Sequence, residues 1–294
     1  MNSSDGAAVV VGVDGSEPAL HAVRLAAAEA ARRQRPLRVV HGFIWPLLHV
    51  PLNAPAGAPP GGGLRDQAKQ IVTAAVAEAE TTAPDVRVSG EIIDGEAAAV
   101  LLGETTTAAM IVLGDRGLGG FSALVVGSVA IQVASYADCP VLVARGGAPR
   151  SVGPVVVGVD GSELSTLALD FAADAADARR TELLALHAYR HPTSSGPGDM
   201  QPLVYDERLL HSEQEQVLAD SVAGLTERYP GLRVTRRAVR ARPGRALTDA
   251  SRTAQLVVVG GQGRGEFTGL LLGSVSQSVL HHADCPVAVV RAPR

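Results

Sequence analysis

Two aspartates and two sets of glycines have the types and spacing of a site for a phosphorylated ligand. Asp14 lies in Val-Gly-Val-Asp-Gly-Ser (11–16), directly after an apolar run, and the glycines follow much later at Gly114, Gly117 and Gly127-Ser128. A glycine-rich loop between a strand and a helix lets backbone N–H groups approach phosphate oxygens, and the helix N-terminus adds unpaired donors. A carboxylate in the same crevice can accept hydrogen bonds from ribose hydroxyls.

The whole set occurs again 146 residues later. Val-Gly-Val-Asp-Gly-Ser returns at 157–162 with Asp160, and the glycine spacing returns at Gly260, Gly263 and Gly273-Ser274. A repeat of this length indicates two copies of one domain. We predict domains over residues 1–147 and 153–294, joined by a Gly- and Pro-containing linker at 146–154.

Several of these residues also have structural explanations. Ser128 and Ser274 could simply cap a helix, and Asp14 could do so through Asp-Gly-Ser-Glu. The paired histidines, His41 and His187, lie near the end of a strand within reach of the crevice, although a structural role suits them better than that of a general base. Cys139 and Cys285, both in Asp-Cys-Pro, are expected to be small buried residues.

Strands and helices alternate along each copy. In the first copy, apolar runs predict strands at 7–13, 37–43, 86–93, 109–114 and 140–145, and Ala-rich stretches predict helices at 17–33, 64–82, 96–108 and 127–137. The fold class is therefore α/β, with two tandem Rossmann-like or flavodoxin-like domains. We expect each to hold a five-stranded parallel sheet of order 3-2-1-4-5 between helices. The Pro- and Gly-rich segments 46–63 and 190–203 are expected to be mobile flaps.

Composition and missing motifs exclude several classes of protein. Neither a dinucleotide-binding G-x-G-x-x-G after the first strand nor a P-loop is present. The net charge of −4 argues against nucleic acid as a partner. Without a signal peptide or a membrane-spanning apolar stretch, we expect a cytoplasmic protein. No catalytic triad, metal-ligand spacing or paired-carboxylate motif stands out, so we assign no catalytic residues and no metal ligands.

The motif V-G-V-D-G-S with G-x2-G-x9-G-S, present twice, resembles the ATP-binding subclass of the universal stress protein family. The resemblance covers nearly the whole chain and points to the tandem two-domain form of actinobacterial type. It implies ATP as ligand, with Mg²⁺ on its phosphates, Asp14 and Asp160 at the ribose, and the backbone near Gly42 and Ala188 at the adenine. The implied binding residues are, in the first copy, Gly12, Asp14, Gly42, Leu113, Gly114, Arg116, Gly117, Gly127, Ser128 and Val129, and in the second, Gly158, Asp160, Ala188, Val259, Gly260, Gly263, Gly273, Ser274 and Val275.

The phosphate loops depart from the family's frequent Gly-Ser-Arg-Gly. The first copy reads Gly-Asp-Arg-Gly and the second Gly-Gly-Gln-Gly. Asp115 is expected to repel phosphate unless Mg²⁺ or Arg116 offsets its charge. Gln262 removes a positive charge for which Arg264 could compensate. The hypothesis that follows is two sites of unequal affinity.

The resemblance implies a nucleotide-dependent regulator of stress and dormancy responses with, at most, slow ATP turnover. One alternative is an ATP hydrolase or an adenylate-forming enzyme. Another is a nucleotide-independent assembly or scaffold protein whose glycines serve only tight turns. The last strands, at 140–145 and 286–291, are apolar edges, and family members commonly pair through them. We therefore expect the two domains to pair within the chain, with a homodimer and an unidentified regulatory protein as further partners.

Overall fold

Two compact units make up the chain in a computed structural model that describes residues 7–44, 62–117, 126–147, 150–190, 206–263 and 272–292. One unit ends at Arg145, and the other runs from Gly146 to Ala292. The domain limits expected from the sequence, 1–147 and 153–294, stay a prediction.

The first unit is an α/β domain built on a five-stranded parallel sheet. Its elements are β1 (Val9–Gly12), α1 (Glu17–Arg33), β2 (Leu37–Phe43), α2 (Gly62–Thr82), β3 (Val88–Asp94), α3 (Ala97–Glu104), β4 (Met110–Gly114), α4 (Ser128–Tyr136) and β5 (Val141–Ala144). The strands lie in the order β3-β2-β1-β4-β5, and every pairing is parallel. The predicted fold class and strand order are confirmed.

The second unit repeats this arrangement. Its elements are β6 (Val155–Gly158), α5 (Glu163–Ala178), β7 (Leu183–Tyr189), α6 (Glu207–Val222), α7 (Leu225–Arg228), β8 (Val234–Arg240), α8 (Pro243–Ser251), β9 (Leu256–Gly260), α9 (Ser274–His282) and β10 (Val287–Val290). The strand order is β8-β7-β6-β9-β10. Where α2 is one continuous helix, α6 ends at Val222 and α7 restarts after Gly224, which stands in place of Glu78. Glycine is a poor helix former, which accounts for the break.

Buried aliphatic strands and alanine-faced helices form the core of each unit. Strands β1, β4 and β5 are almost fully buried, and burial on both faces is typical of parallel strands. Helix α1 contributes Ala22, Ala26, Ala27 and Ala30, all without solvent exposure. Small side chains let the helix approach the sheet closely.

Helix α3 is shorter than predicted. We expected residues 96–108, but the helix ends at Glu104 before Thr105, Thr106 and Thr107. Their hydroxyls donate to the carbonyls of Leu102, Gly103 and Glu104. Threonine disfavours helix interiors and bonds to nearby backbone, so three in succession end the helix.

The structure describes most of the predicted linker but little of the two predicted flaps. Arg150 of the linker packs on the second unit, where its Nη1 donates to the carbonyls of Ser251, Ala254 and Asp284 at 3.2, 3.4 and 3.1 Å. Residues 148–149 lie outside the described part of the chain. So does nearly all of the two predicted flaps, except that Gly62 and Gly63 belong to α2 and Arg190 follows β7.

A buried glutamate in α1 distinguishes the first unit from the second. Glu29 is 1% exposed and pairs with Arg32 at 3.0 Å and with Arg33. The corresponding position in the second unit is Ala175. Glu29→Ala should lower the free energy of unfolding by about 3 kcal/mol, because it removes the buried carboxylate with which both Arg32 and Arg33 pair.

Chemical denaturation of Glu29→Ala and of Glu29→Ala/Arg32→Ala measures this effect. The double variant reproduces Ala175 and Ala178 of the second unit, so it should recover part of the loss. Equal stability of wild type and Glu29→Ala would show that the buried pair contributes nothing.

Candidate functional site

A cavity of about 420 Å³ opens at the carboxyl ends of β1 and β4 in the first unit. Because β1 pairs with β2 on one side and β4 on the other, this is the point where strand order reverses, and such a crevice is the usual ligand position in open α/β sheets. All ten positions named from the sequence for this copy line the cavity: Gly12, Asp14, Gly42, Leu113, Gly114, Arg116, Gly117, Gly127, Ser128 and Val129.

The corresponding cavity of the second unit is larger, at about 580 Å³. The nine positions named for this copy line it: Gly158, Asp160, Ala188, Val259, Gly260, Gly263, Gly273, Ser274 and Val275. Both volumes lie in the range typical of small-molecule sites. The structure therefore brings together residues that lie far apart in the sequence, while their contact with a nucleotide stays a prediction.

Asp14 has one carboxylate oxygen in a turn and the other beside the glycine loop. Its Oδ1 accepts the backbone N–H of Ser16 at 3.0 Å, and the Ser16 hydroxyl, not Asp14, caps α1 by accepting from Ala19 N. The Asp160 and Ser162 pair repeats this turn, also at 3.0 Å. The aspartates thus help to shape the turn before the helix and still line the cavities.

Some of the predicted glycines are required by close protein contacts. A Cβ at Gly117 would overlap Asp14 Oδ2, and one at Gly263 would lie 2.6 Å from Asp160 Oδ2. A Cβ at Gly114 would lie 2.8 Å from the backbone of Pro18. Replacing Gly117 or Gly263 by alanine therefore perturbs the aspartate as well as any phosphate, and cannot by itself distinguish a ligand site from a tight turn.

Gly127 and Gly273 differ in this respect. A Cβ at Gly127 would lie no closer than 3.6 Å to the Arg116 Cα, and one at Gly273 no closer than 3.3 Å to the Gln262 Cα. Their backbone angles, φ −67° and ψ 147° and φ −66° and ψ 153°, suit any residue. Each glycine is the N-cap of the helix that follows and lies on a cavity wall. At Gly127 neither the described neighbours nor the backbone conformation requires glycine. At Gly273 the 3.3 Å approach to the Gln262 backbone is tighter than an ordinary Cβ contact, so packing favours glycine there in part.

Asp115, which was expected to repel phosphate, lies next to Arg145. Its carboxylate lies 3.8 Å from Arg145 Nη1, with exposed side-chain fractions of 18% and 11%, and the wall residues do not include it. The expected repulsion of phosphate is therefore reduced by a neighbour that the local sequence did not reveal. In the second unit Arg291 lies over Gly261, where a Cβ would be 2.8 Å from its Cγ. Arg116 and Gln262 both line their cavities, and Arg264 lies outside the described residues.

The two strand histidines have structural contacts. His41 Nδ1 donates to the Val13 carbonyl at 2.7 Å, and His187 Nδ1 donates to the Val159 carbonyl at 2.6 Å. Each precedes a wall residue in its strand, so its side chain points to the opposite face of the sheet. His187 also contacts Gln214 of α6 at 3.0 Å. Neither is positioned to serve as a base in the cavity.

The sequence model of the universal stress protein family matches residues 7–145 and 152–291. The chain belongs to the universal stress protein family. Over 306 aligned residues it is 38% identical to universal stress protein Rv2623 of Mycobacterium tuberculosis, covering 99% of this chain and 97% of that one.

A solved structure agrees on the fold. A universal stress protein from Archaeoglobus fulgidus superposes with a TM-score of 0.70 at 17% identity, covering 97% of this chain and 96% of that one. A further universal stress protein, solved in complex with cAMP, matches 48% of this chain and 97% of its own at 24% identity and a TM-score of 0.36.

The wall of each site in this universal stress protein includes residues that the glycine motif did not indicate. Helix α3 contributes Ala97 and Leu101, and α8 contributes Pro243 and Leu247. Their apolar i, i+4 spacing is the only sequence signal for them, and it is shared by any buried helix face. Apolar side chains thus cover one part of each cavity, while glycines and a helix N-terminus line another.

Two serines in the second cavity replace alanines in the first. Ser165 and Ser276 stand where the first unit has Ala19 and Ala130, and all four line the cavities. The Ser276 hydroxyl donates to the Gly260 carbonyl at 2.6 Å, which ties the start of the phosphate loop to α9. The first unit has no hydroxyl at this position.

His21, on α1, was also missed. Its Nε2 is buried without a hydrogen-bond partner among the described residues. Burial lowers the pKa of His21, and Arg24 lowers it further, while Asp115 and Glu17 act in the opposite direction. The imidazole is thus held towards its neutral form near the first phosphate loop.

Both cysteines are buried, and burial raises the pKa of each thiol from 9.0 to about 12. Since the thiolate is the reactive form, neither thiol should react with iodoacetamide at pH 8 in the folded protein, and both should react in denaturant. Because the pKa of each thiol is higher in the folded than in the unfolded chain, the free energy of unfolding should be unaffected by the thiols below about pH 9 and should fall as pH rises towards 12. Mass spectrometry after labelling measures the first effect, and rapid native labelling would contradict it.

Neither a membrane-spanning helix nor a metal cluster is found in the ranges that the structure describes. No helix there is long and apolar enough to cross a bilayer. No group of three or more His, Cys, Asp or Glu side chains there could hold a metal ion.

Proposed function

We propose that this universal stress protein binds ATP in each cavity and acts as a nucleotide-dependent regulator in stress or dormancy. The observation that supports this most strongly is Gly127. No described protein contact or backbone angle requires glycine there, and it lies on a cavity wall at a helix N-terminus, as Gly273 does in the second cavity. Unpaired N–H groups at such a terminus favour an anion, and the absence of a side chain lets it approach.

In this proposal the remaining wall residues hold the other parts of the nucleotide. Asp14 and Asp160 accept hydrogen bonds from the ribose, and the backbone at Gly42 and Ala188 lies beside the adenine. The apolar side chains from α3 and α8 suit an aromatic base. Arg116 adds a positive charge in the first cavity, whereas Gln262 does not in the second, so the two affinities are expected to differ.

Mg²⁺ fits this arrangement as a companion of the phosphates. Mg²⁺ is commonly bound by substrate phosphates and water together with one or two carboxylates. The single wall aspartate of each cavity, Asp14 or Asp160, is assigned here to the ribose, so phosphate oxygens and water would hold the ion. When bound, the ion would neutralise phosphate charge. The chain's own contribution at this end of the nucleotide is the helix N-terminus, which favours the phosphates.

A regulatory role suits the wall better than fast catalysis. Phosphoryl transfer needs a residue to position the nucleophile and groups to neutralise developing charge. The wall offers one carboxylate per cavity, and the strand histidines face the other side of the sheet. Slow hydrolysis could still reset the regulator. A cytoplasmic location, a homodimer and a regulatory protein partner belong to this proposal.

Counting the bound nucleotide tests the proposal. The purified protein is incubated with Mg-ATP, desalted and denatured, and the released nucleotide is identified and counted by chromatography and mass spectrometry. We expect adenine nucleotide close to two per chain, with any ADP fraction reporting hydrolysis. A protein that stays empty and shows no heat of ATP binding would refute the proposal and favour the scaffold alternative. Turnover above roughly 1 per second would instead favour an enzyme.

A further inference from the structure

The outermost strands of the two units, β3 and β8, carry opposite charges at corresponding positions. On and just after β3 are Glu91, Asp94 and Glu96; at the equivalent places of β8 are Arg237, Arg240 and Arg242. A further arginine, Arg236, stands in place of Gly90. The first edge is acidic and the second edge is basic, although the domains are copies.

These charged side chains are exposed, and a smaller share of the arginines than of the acidic residues forms ion pairs. Arg240 pairs with Glu207 at 2.9 Å, with exposed fractions of 56% and 70%. Arg236, Arg237 and Arg242 are exposed and form no ion pair with another residue of the described ranges. The second edge therefore keeps a net positive charge.

The acidic edge is partly compensated. Glu91 pairs with Arg38 at 2.8 Å and Asp94 with Arg65 at 3.4 Å, and their exposed fractions are 56% and 58%. Arg38 is shared with Glu104, and Glu96 is exposed without an ion pair to another described residue. Four carboxylates thus face two arginines, which leaves this edge negative.

Each of these strands is bonded on one side within its own unit. β3 pairs with β2 and β8 pairs with β7, so the outer backbone groups of both form a sheet edge. Charged side chains on an edge normally prevent pairing with another chain, because identical edges repel each other. Here that repulsion acts between two β3 edges and between two β8 edges. Between β3 and β8 the charges attract.

We propose that the β3 edge of one chain docks on the β8 edge of a second copy of this chain. Both strands are seven residues long, and parallel alignment of equivalent positions would place Glu91 by Arg237 and Asp94 by Arg240. The contact joins two different surfaces, so the association is head-to-tail. Exposed ion pairs contribute little each, so the association is expected to be weak, dependent on concentration and screened by salt.

Sedimentation velocity on the full chain tests this interface, and nucleotide content plays no part in it. At about 50 mM NaCl the weight-average sedimentation coefficient should rise with protein concentration, and at about 500 mM NaCl it should rise several-fold less. A coefficient with the same concentration dependence at both salts, or with none at low salt, would overturn the proposal.

Charge reversal gives the sharper test. Asp94→Arg/Glu96→Arg makes both edges basic, and Arg237→Glu/Arg240→Asp/Arg242→Glu makes both acidic. Each variant alone should lose the salt-sensitive association, and an equimolar mixture should regain it. If the mixture stays as dissociated as its components, or if either variant alone associates like wild type, the β3–β8 contact is wrong.

Neutral variants provide a second test of the contact if a charge-reversed variant folds poorly. Asp94→Asn/Glu96→Gln and Arg240→Gln/Arg242→Gln keep side-chain size and should each weaken association several-fold. Thermal denaturation verifies folding, since all four positions are exposed. Unchanged association in both neutral variants would also contradict the proposal.

Discussion

Gly127→Asp should abolish nucleotide binding in the first cavity and leave thermal stability unchanged or slightly higher. Aspartate is among the best N-cap residues, and a negative charge at a helix N-terminus is favourable. The backbone angles and the 3.6 Å distance to the Arg116 Cα leave room for its Cβ. A carboxylate near a bound phosphate would cost about 4 kcal/mol at 4 Å in a partly screened site, so affinity should fall more than about 100-fold.

Gly273→Asp is the matched variant for the second cavity. Each single variant should retain one nucleotide per chain, and the double variant none, as counted after desalting and by calorimetric titration. Gly231→Asp adds the same charge at an exposed position with no atom within 4 Å of its Cβ, and should bind as wild type does. Full nucleotide content in the double variant would exclude the two helix N-termini as phosphate sites.

Gly153→Ala should destabilise the second unit by about 3 kcal/mol or more. Gly153 has φ +114°, a conformation that side chains rarely adopt, and its Cβ would overlap the carbonyl of Thr253. Its own carbonyl accepts from Thr181 Oγ1 at 2.8 Å and Gln255 Nε2 at 2.7 Å, so the backbone cannot shift without breaking both bonds. Urea denaturation measures the loss.

Gly147→Ala is the control within the same linker. No atom lies within 4 Å of a Cβ at Gly147, so the substitution should change stability by less than about 0.5 kcal/mol. Equal denaturation midpoints for the two variants would show that residue 153 is free to move, contrary to its hydrogen bonds.

The sequence was sufficient for the parts of the fold that depend on local pattern and repetition. The apolar runs that contain Val9–Gly12 and Met110–Gly114 predicted buried strands. The repeat after 146 residues then predicted that the second unit has the same elements as the first. The glycine spacing then placed the wall residues, because parallel strands bring their carboxyl ends to one edge of a sheet.

The sequence was insufficient for predicting contacts that form only when the chain is folded. The contact of Asp115 with Arg145, and that of Gly117 with Asp14, join residues far apart in the chain. Neither has a local signature. The early end of α3 could have been anticipated from its three threonines, but helical periodicity alone extended it to residue 108.

The contacts of Arg150 and Gly153 determine how the second domain could be produced alone. A fragment beginning at residue 153 would lack the guanidinium that binds three backbone carbonyls, so those acceptors would have to be hydrated instead. A fragment beginning at Gly146 keeps these bonds. The segment 146–154, which the sequence predicted to be a linker, thus belongs to the second unit. A truncation or a recombination point should therefore be placed after Arg145.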